Sequence, residues 1–183
     1  MQKRSDKTLK YLCNGVEDVI KITENLEPMD MIIFNGELLL MRDAAQKRLL
    51  QISSSGEQLP IDLKNTIVFY AGPSRTPPEF VIGSIGPTTS ARMDRYLEFL
   101  YSNGVVATVG KGPRSQNAVE LTKKYKKIYF ITLSGAAALL SNLVTDYRML
   151  AFPELGPEAI AKILVIDFPL IVATSPIGKN LFE

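Results

Sequence analysis

The sequence predicts an α/β fold in which parallel strand pairs carry additional β structure beside them. Three observations support this prediction. Short apolar runs alternate with amphipathic stretches from residue 66 to residue 142, as strands and helices do when they follow one another. The apolar stretch 29–41 is interrupted by Asn35-Gly36, a dipeptide that favours a tight hairpin turn. The tail at 161–178 is apolar enough for one or two further strands.

The first part of the chain is predicted to contain an arm, β structure and a helix. Residues 1–15 are polar and are interpreted as an N-terminal arm, which leaves 16–183 as a single domain. The segment 16–23, VEDVIKIT, is predicted to be a short strand, and 29–41 a β-hairpin. Helical spacing and the helix-favouring residues Ala, Leu, Lys and Arg then predict a helix over 42–52.

The remaining elements follow the alternation of strands and helices. A buried strand is predicted at 66–72, and further strands are predicted at 79–86, 105–112 and 127–133. Helices are predicted at 88–104, 115–126 and 134–142. The first of these helices is expected to stop at Asn103-Gly104, because glycine is common just beyond a helix C-terminus.

Composition restricts the chemistry that this chain can perform. Its 183 residues are 46% hydrophobic and 22% charged, which is typical of one globular domain with its own core. Histidine is missing, and with it the usual general base and the commonest metal ligand. Cys13 is the single cysteine, so the chain cannot form an internal disulfide or hold a zinc or iron–sulfur site alone. Chemistry must come from Thr, Lys, Arg, Asp, Glu or Tyr, or from another chain.

Charge and hydropathy argue against nucleic acid and membrane as partners. A net charge of +2 is too small to indicate nucleic-acid binding, and the one basic cluster, KKYKK at 123–127, is interpreted as a solvated helix end. No apolar run approaches the length of a membrane span, and the polar start carries no secretory signal. The default expectation is a cytoplasmic protein.

Four polar or cationic stretches follow predicted strands or open helices, where α/β sheets collect their ligands. They are Arg42-Asp43, Gly72-Pro73-Ser74, Gly86-Pro87-Thr88-Thr89 with Arg92, and Gly110-Lys111-Gly112 with Arg114 and Ser115.

The clearest of these stretches is GSIGPTTSARMDRY, residues 83–96. Thr88 is expected to cap the following helix, whose free N–H groups favour an anion. Arg92 lies four residues later and would share a helix face with Thr88. A guanidinium binds a carboxylate through two parallel hydrogen bonds. A plain N-cap with a surface arginine explains the stretch equally well.

The lysine between glycines does not belong to a phosphate-binding loop. Five residues separate Gly104 from Gly110, and Gly112 rather than Ser or Thr follows the lysine. Lys111 is therefore either a solvated loop lysine, which the isolated sequence favours, or a cation that a ligand approaches closely.

Arg42 is predicted to open a helix, where a cation is unfavourable against the helix dipole. Such a violation is a mild indication of function, unless Asp43 simply offsets the charge. Arg42, Arg92 and Lys111 could converge with Thr88 on a small anion, and this set of cations would suit a dicarboxylate.

The ordered motifs resemble a known enzyme family. RDAAQKRL, YAGPS, GSIGPTTSARMDRY, VGKGPRS, SGAAALL and ELGPEAI…DFPLIV resemble the β subunit of class I, iron–sulfur-dependent fumarate hydratase. The same module forms the C-terminal domain of single-chain class I fumarases and the β subunit of L(+)-tartrate dehydratase. The resemblance spans roughly residues 14 to 183, and GPTTSARMD followed by GKG is its most specific part. It implies a swivelling β/β/α domain.

The resemblance also implies an activity and a partner. An α subunit would hold a [4Fe-4S] cluster through its own cysteines, since this chain has Cys13 alone, and the assembly would be an α2β2 heterotetramer. The implied reaction is the reversible hydration of fumarate to (S)-malate, a hydro-lyase step of the tricarboxylic acid cycle. Tartrate and mesaconate are alternative substrates. A non-catalytic anion-binding module is the alternative of another class.

Residue by residue, the resemblance implies Thr88 as the catalytic base and Arg42, Arg92 and Lys111 as substrate-binding cations, with no metal ligand in this chain. Gln46 stands where the family usually has histidine, which bears on substrate choice.

Overall fold

A computed structural model describes residues 8–183, so residues 1–7 of the predicted arm lie outside the described part. Its strands are β1 (Lys10–Asn14), β2 (Met31–Leu40), β3 (Ile67–Phe69), β4 (Ala107–Gly110), β5 (Ile128–Ile131), β6 (Val144–Ala151) and β7 (Ile160–Thr174). Its α-helices are α1 (Val16–Ile22), α2 (Asp43–Ser54), α3 (Leu97–Ser102), α4 (Gln116–Lys124) and α5 (Ala137–Ser141). Short 3₁₀ segments cover Thr23–Asn25, Ser90–Tyr96 and Pro153–Glu158. The predicted α/β class is confirmed.

The strands form one mixed sheet in the order β1-β2-β3-β4-β5-β7-β6. Strands β1 to β5 pair in parallel, whereas β7 runs antiparallel to β5 and β6. Strand β7 is long enough to pair with β2 as well, again antiparallel. Strands β2, β3, β4, β5 and β7 therefore close into a small barrel, with β1 and β6 outside it.

Residues on strand β2 are buried on both faces near its end, because the barrel interior lies on one side and helices lie on the other. Leu38 and Leu40 join the cluster that includes Phe69 and Phe168, whose rings meet edge to face at 5.6 Å. Leu39 joins a second cluster with residues of α2 and α3. Burial on both faces explains why these strands read as continuous apolar runs rather than alternating ones.

The segment predicted as a strand at 16–23 is wrong, since Val16–Ile22 forms helix α1. Glu17 and Asp18 lie in its first turn and Lys21 in its last, which complements the helix dipole. Strand β1, at the end of the predicted arm, pairs in parallel with β2 instead.

The hairpin predicted at Asn35-Gly36 is also wrong. Both residues lie within the single strand β2, where the register against β7 shifts between Phe34 and Gly36. The Asn35 side chain receives a hydrogen bond from the Asp167 amide at 2.7 Å and donates to Asn14 Oδ1 at 2.8 Å. Asn35 and Gly36 accommodate an irregularity in β2 where this strand pairs with both β1 and β7. Such an irregularity requires the same backbone freedom as a turn.

Two further predictions differ in part, whereas the prediction of one or two strands in the tail is confirmed. Residues 79–86 form turns rather than a strand, because β3 already has β2 and β4 as neighbours. The helix predicted over 88–104 begins only at Ser90, as a 3₁₀ segment that continues into α3. The tail is one strand, β7, paired with the unpredicted strand β6. Within residues 8–183, no helix has both the length and the apolar character that crossing a membrane requires.

Candidate active site

The predicted site residues lie at one edge of the sheet. Arg42 follows β2, Gly72 follows β3 and Lys111 follows β4, and these three strands are parallel neighbours. Because the carboxyl ends of parallel strands meet at the same edge, residues far apart in sequence come together there. The structure thus brings the stretches singled out from the sequence to a common edge.

Backbone hydrogen bonds join the Thr88 stretch to the Lys111 stretch. The Lys111 amide donates to the Thr88 carbonyl at 3.2 Å, and the Ser90 amide donates to the Lys111 carbonyl at 3.0 Å. Thr89 forms a parallel bridge with Lys111 between them. The two segments are consequently joined along their backbones.

Thr88 does not cap a helix, contrary to the prediction. Its hydroxyl donates to the Tyr70 carbonyl at 2.9 Å, and Thr89 occupies the N-cap position without a side-chain cap bond. The 3₁₀ segment begins two residues too late for Thr88 to reach it as a cap, so Thr88 and Arg92 do not share a helix face. The hydroxyl is held by backbone and keeps its lone pairs for a donor.

Arg42 is paired with a carboxylate from a distant segment. Its Nη2 lies 3.0 Å from Glu158 Oε1, and Glu158 Oε2 accepts a hydrogen bond from the Ala44 amide at 3.1 Å. Glu158 therefore both caps α2 and offsets the cation that opens it, the role that the sequence left to Asp43. Gly72 makes this arrangement possible, because a Cβ there would lie 2.1 Å from the Pro157 carbonyl oxygen.

The other two cations are less compensated. Arg92 is about half exposed, and its Nη2 lies 3.9 Å from Asp43 Oδ1. Lys111 is partly buried and forms no ion pair with any described residue. Three cations thus face two carboxylates, Asp43 and Glu158, and this edge of the sheet keeps an excess of positive charge.

Gln46 is fully buried within α2. Its Nε2 donates to the Met41 carbonyl at 3.4 Å, whereas its Oε1 is buried without a hydrogen-bond partner. Gln46 therefore lies beneath the site rather than on its surface.

An ion pair that the sequence did not predict supports these loops, although Arg114 and Ser115 were already named with the Lys111 stretch. Arg114 Nε lies 2.5 Å from Asp94 Oδ1, and Asp94 Oδ2 accepts from the Ser115 amide at 2.8 Å. Ser115 caps α4 by accepting from the Ala118 amide. Asp94 lies in the motif GSIGPTTSARMDRY and Arg114 in VGKGPRS. These motifs drew attention to both residues, but no pattern of sequence spacing predicts that the two side chains pair.

The residues of this chain do not fit an iron–sulfur cluster. Cys13 is buried in β1, away from the candidate site, and burial raises the pKa of its thiol to about 11. Among residues 8–183, His, Cys, Asp and Glu side chains do not gather in any group of three or more that could bind a metal ion.

A comparison with known protein families identifies the family of the chain that contains this site. The family described as Fumarase C-terminus matches residues 4–183. The chain belongs to this family. Its fumarase-type relatives include class I fumarate hydratases and tartrate dehydratase β subunits.

The individual relatives differ in length. The "Putative L(+)-tartrate dehydratase subunit beta" of Methanocaldococcus jannaschii is 37% identical over 169 residues, which cover 89% of this chain and 87% of that protein. "Fumarate hydratase 2" of Leishmania major is 37% identical over 154 residues, or 83% of this chain and 27% of that protein. "Fumarate hydratase class I, anaerobic" of Escherichia coli is 37% identical over 150 residues, again 27% of its length. This fumarase C-terminus chain therefore spans about a quarter of the fumarate hydratases it matches.

Proposed function

We propose that this chain is the β subunit of a class I hydro-lyase that reversibly hydrates fumarate to (S)-malate together with an α subunit. The observation that carries the proposal is the hydrogen bond that joins the Thr88 and Lys111 segments, with 3.2 Å between Thr88 O and Lys111 N. This junction lies at the edge of the sheet that has the excess of positive charge. A member of the fumarase C-terminus family with this edge is suited to a small dicarboxylate. We also assign the barrel and its helices to the swivelling β/β/α type.

In this proposal the cations bind the substrate and stabilise charge that develops during the reaction. Arg42 would bind one carboxylate in competition with Glu158. Arg92 and Lys111 would oppose the negative charge that builds up when a proton leaves the carbon next to the other carboxylate. Such stabilisation is strongest where the charge-stabilising groups are already in position before the reaction. The pairing of the Thr88 and Lys111 segments would hold these groups in position.

Thr88 is the proposed base. In the dehydration direction its oxygen would take the proton from the substrate carbon, while hydroxide leaves the neighbouring carbon. Before that step the threonine oxygen must lose its own proton to solvent water, and nearby cations lower the free-energy cost of the resulting alkoxide. After the step the departing hydroxide takes the transferred proton from Thr88, which forms the product water and restores the alkoxide. The hydrogen bond from Thr88 to the Tyr70 carbonyl fixes where this oxygen lies.

The partner in this proposal holds the [4Fe-4S] cluster, since no residues here fit it, and the assembly is an α2β2 heterotetramer. Exposed apolar side chains near the site edge support a docking surface. Phe80 and Val81 lie in the turns after β3, and Leu133 and Leu139 follow β5; they are 58%, 50%, 45% and 66% exposed. Large apolar side chains exposed together are typical of a protein interface.

L(+)-tartrate is the second candidate substrate, and one observation favours it. The tartrate dehydratase β subunit from Methanocaldococcus jannaschii matches this chain over 87% of its own length, whereas the fumarate hydratases match over about a quarter of theirs. The match to that β subunit therefore takes in most of its length. Mesaconate is a third substrate of the same chemical type, and a non-catalytic anion-binding module is the alternative outside catalysis.

The test is anaerobic co-expression of the full chain with a candidate α subunit encoded nearby, followed by assays with fumarate, L-malate, L(+)-tartrate and mesaconate. Fumarate hydration that requires both chains and a reconstituted cluster supports the proposal. A cluster-loaded complex active only on tartrate or mesaconate moves the assignment to that substrate. Failure of the chain to bind any such α subunit contradicts the proposal and favours the anion-binding module.

A further inference from the structure

A closed circuit of hydrogen bonds lies beneath the Lys111 segment. The Tyr129 hydroxyl, on β5, is 2.7 Å from the Gly112 carbonyl oxygen and 2.9 Å from Ser90 Oγ. Ser90 Oγ in turn is 3.1 Å from the Lys111 amide nitrogen. The circuit therefore begins and ends at adjacent residues, Lys111 and Gly112.

The chemistry of the groups sets the direction of each bond. A phenol has one proton and the Gly112 carbonyl can only accept, so Tyr129 donates to Gly112. The Ser90 hydroxyl then donates to the Tyr129 oxygen, and its own oxygen accepts from the Lys111 amide. Every polar group of the circuit is used, which matters because Tyr129 and Ser90 are both fully buried.

The space around the circuit leaves little freedom. A Cβ on Gly110 would lie 2.0 Å from Ser90 Oγ, so the serine hydroxyl is packed directly against the end of β4. Gly112 adopts a positive φ of 76°, a conformation that glycine tolerates and that makes the turn after Lys111 tight. The backbone of Lys111 is consequently held from both sides.

Buried Arg114 holds the Tyr129 ring in place. Its guanidinium carbon lies 5.0 Å from the centre of the Tyr129 ring and 5.5 Å from that of Tyr70. Its Nη1 donates to Thr108 Oγ1 at 3.3 Å, and Asp94 accepts from its Nε. Burial raises the pKa of the Tyr129 hydroxyl, which stays protonated and able to donate at neutral pH.

We propose that Tyr129 is a positioning residue for the active edge: through Gly112 and Ser90 its hydroxyl fixes the Lys111 backbone next to the Thr88 segment, and with it the point from which the Lys111 side chain extends. The inference rests on the proposed function for its effect on catalysis, but its structural part concerns this chain alone. Tyr129 itself would not contact substrate, since its hydroxyl already forms hydrogen bonds with Ser90 and Gly112.

Tyr101 provides a matched control. It is also a buried tyrosine, and its hydroxyl lies 3.4 Å from Thr122 Oγ1, where α3 packs against α4. Tyr101→Phe and Tyr129→Phe both remove one buried hydroxyl and keep the ring, so both are expected to fold. Only Tyr129→Phe breaks the circuit.

The first experiment is amide hydrogen exchange on the full chain carrying Tyr129→Phe or Tyr101→Phe. In Tyr129→Phe the Lys111 and Ser90 amides are expected to exchange about fivefold faster than in the parent chain, because a hydrogen bond of roughly 1 kcal/mol no longer holds the segment. In Tyr101→Phe these two amides should exchange at the parent rate. Parent-like exchange of both amides in Tyr129→Phe overturns the proposal, as does equal acceleration in the control.

The second experiment uses the complex with the α subunit and a double-mutant cycle with Lys111→Met. Tyr129→Phe is expected to lower kcat/KM for the dicarboxylate about tenfold in the parent background and to have almost no effect once Lys111 is methionine. Equal losses in both backgrounds overturn the link to Lys111. A complex without hydro-lyase activity contradicts the proposed function instead, while the exchange experiment still decides whether Tyr129 holds the segment.

Discussion

The carbonyl oxygen of Tyr70 accepts two hydrogen bonds from Thr88, one from the amide at 2.8 Å and one from the side-chain hydroxyl at 2.9 Å. Tyr70 follows β3 directly, so the proposed base is attached to the end of a barrel strand by backbone groups. The position of the hydroxyl thus depends on the fold of the barrel rather than on a neighbouring side chain.

Replacement of Thr88 by valine should abolish most of the activity. Valine keeps the shape but removes the oxygen that would carry the proton, and general acid–base groups contribute about a hundredfold or more to rate. In the complex with the α subunit we expect kcat for dehydration to fall by that factor, with little change in KM. Thr89→Val is the control, because Thr89 is exposed and its side chain makes no cap bond. An unchanged kcat in Thr88→Val would remove Thr88 from the mechanism.

Arg42→Met should weaken dicarboxylate binding. Loss of a charge-assisted hydrogen-bonding pair costs about 1.5–3 kcal/mol, so KM is expected to rise roughly tenfold to a hundredfold. The matched control is Arg48→Met on the same helix, where Arg48 pairs with Glu154 and stacks on Phe152. Steady-state kinetics on both variants provide the comparison, and equal KM values would contradict the role of Arg42.

Glu158→Gln should strengthen substrate binding while weakening the fold slightly. The amide oxygen can still accept from Ala44, but Arg42 loses its competing carboxylate. We expect KM for the dicarboxylate to fall several-fold and the free energy of unfolding to fall by about 0.5–1 kcal/mol, since a negative charge at a helix N-terminus is lost. Glu154→Gln, in the same 3₁₀ segment, is the control. A rise in KM would show that Glu158 supports substrate binding.

Arg114→Met should destabilise the chain strongly. The Arg114 side chain is only 2% exposed, and its removal leaves Asp94, whose side chain is 12% exposed, without its cation. Breaking such a pair costs about 3–5 kcal/mol in free energy of unfolding, which urea denaturation measures. The exposed pair of Lys124 and Glu98 is the control, and Lys124→Met should leave stability nearly unchanged. Similar free energies of unfolding for the two variants would contradict the stabilising role of Arg114.

Stability should fall at alkaline pH for an identifiable reason. Burial, together with the charge of Asp18, raises the pKa of Cys13 from 9.0 to about 11, and burial raises that of Tyr101 from 10.0 to about 12. A raised pKa means that the folded state holds these protons more tightly, so this stability is complete below pH 9 and is lost as pH rises through 11 and 12. Urea denaturation across that range measures the loss. The double variant Cys13→Ala/Tyr101→Phe should show a shallower decline than the parent chain, and an identical decline would contradict this origin.

Local sequence patterns predicted much of the fold where the pattern and the tertiary environment agree. The helix at 42–52 and the strand at 105–112 were found because apolar spacing there matches the faces that the barrel buries. The hairpin at Asn35-Gly36 failed, since the same dipeptide serves an irregularity in a strand that has neighbours on both sides. Strand β1 went unpredicted because a five-residue edge strand that buries only Cys13 is too short to show an apolar pattern.

By itself the sequence determined the α/β class, the family, and the positions of Arg42, Thr88, Arg92 and Lys111 after strands or at helix starts, because glycines, cations and apolar runs are local signals. Their roles stay predictions. Only the tertiary structure decided which groups those residues meet.

Thr88 donates to backbone instead of capping a helix, Glu158 pairs with Arg42, and Arg114 is buried against Tyr129. These contacts join segments far apart in the chain. They form because closing the barrel removes the segments from water together, which favours hydrogen bonds between buried polar groups and whatever partners the packing places beside them.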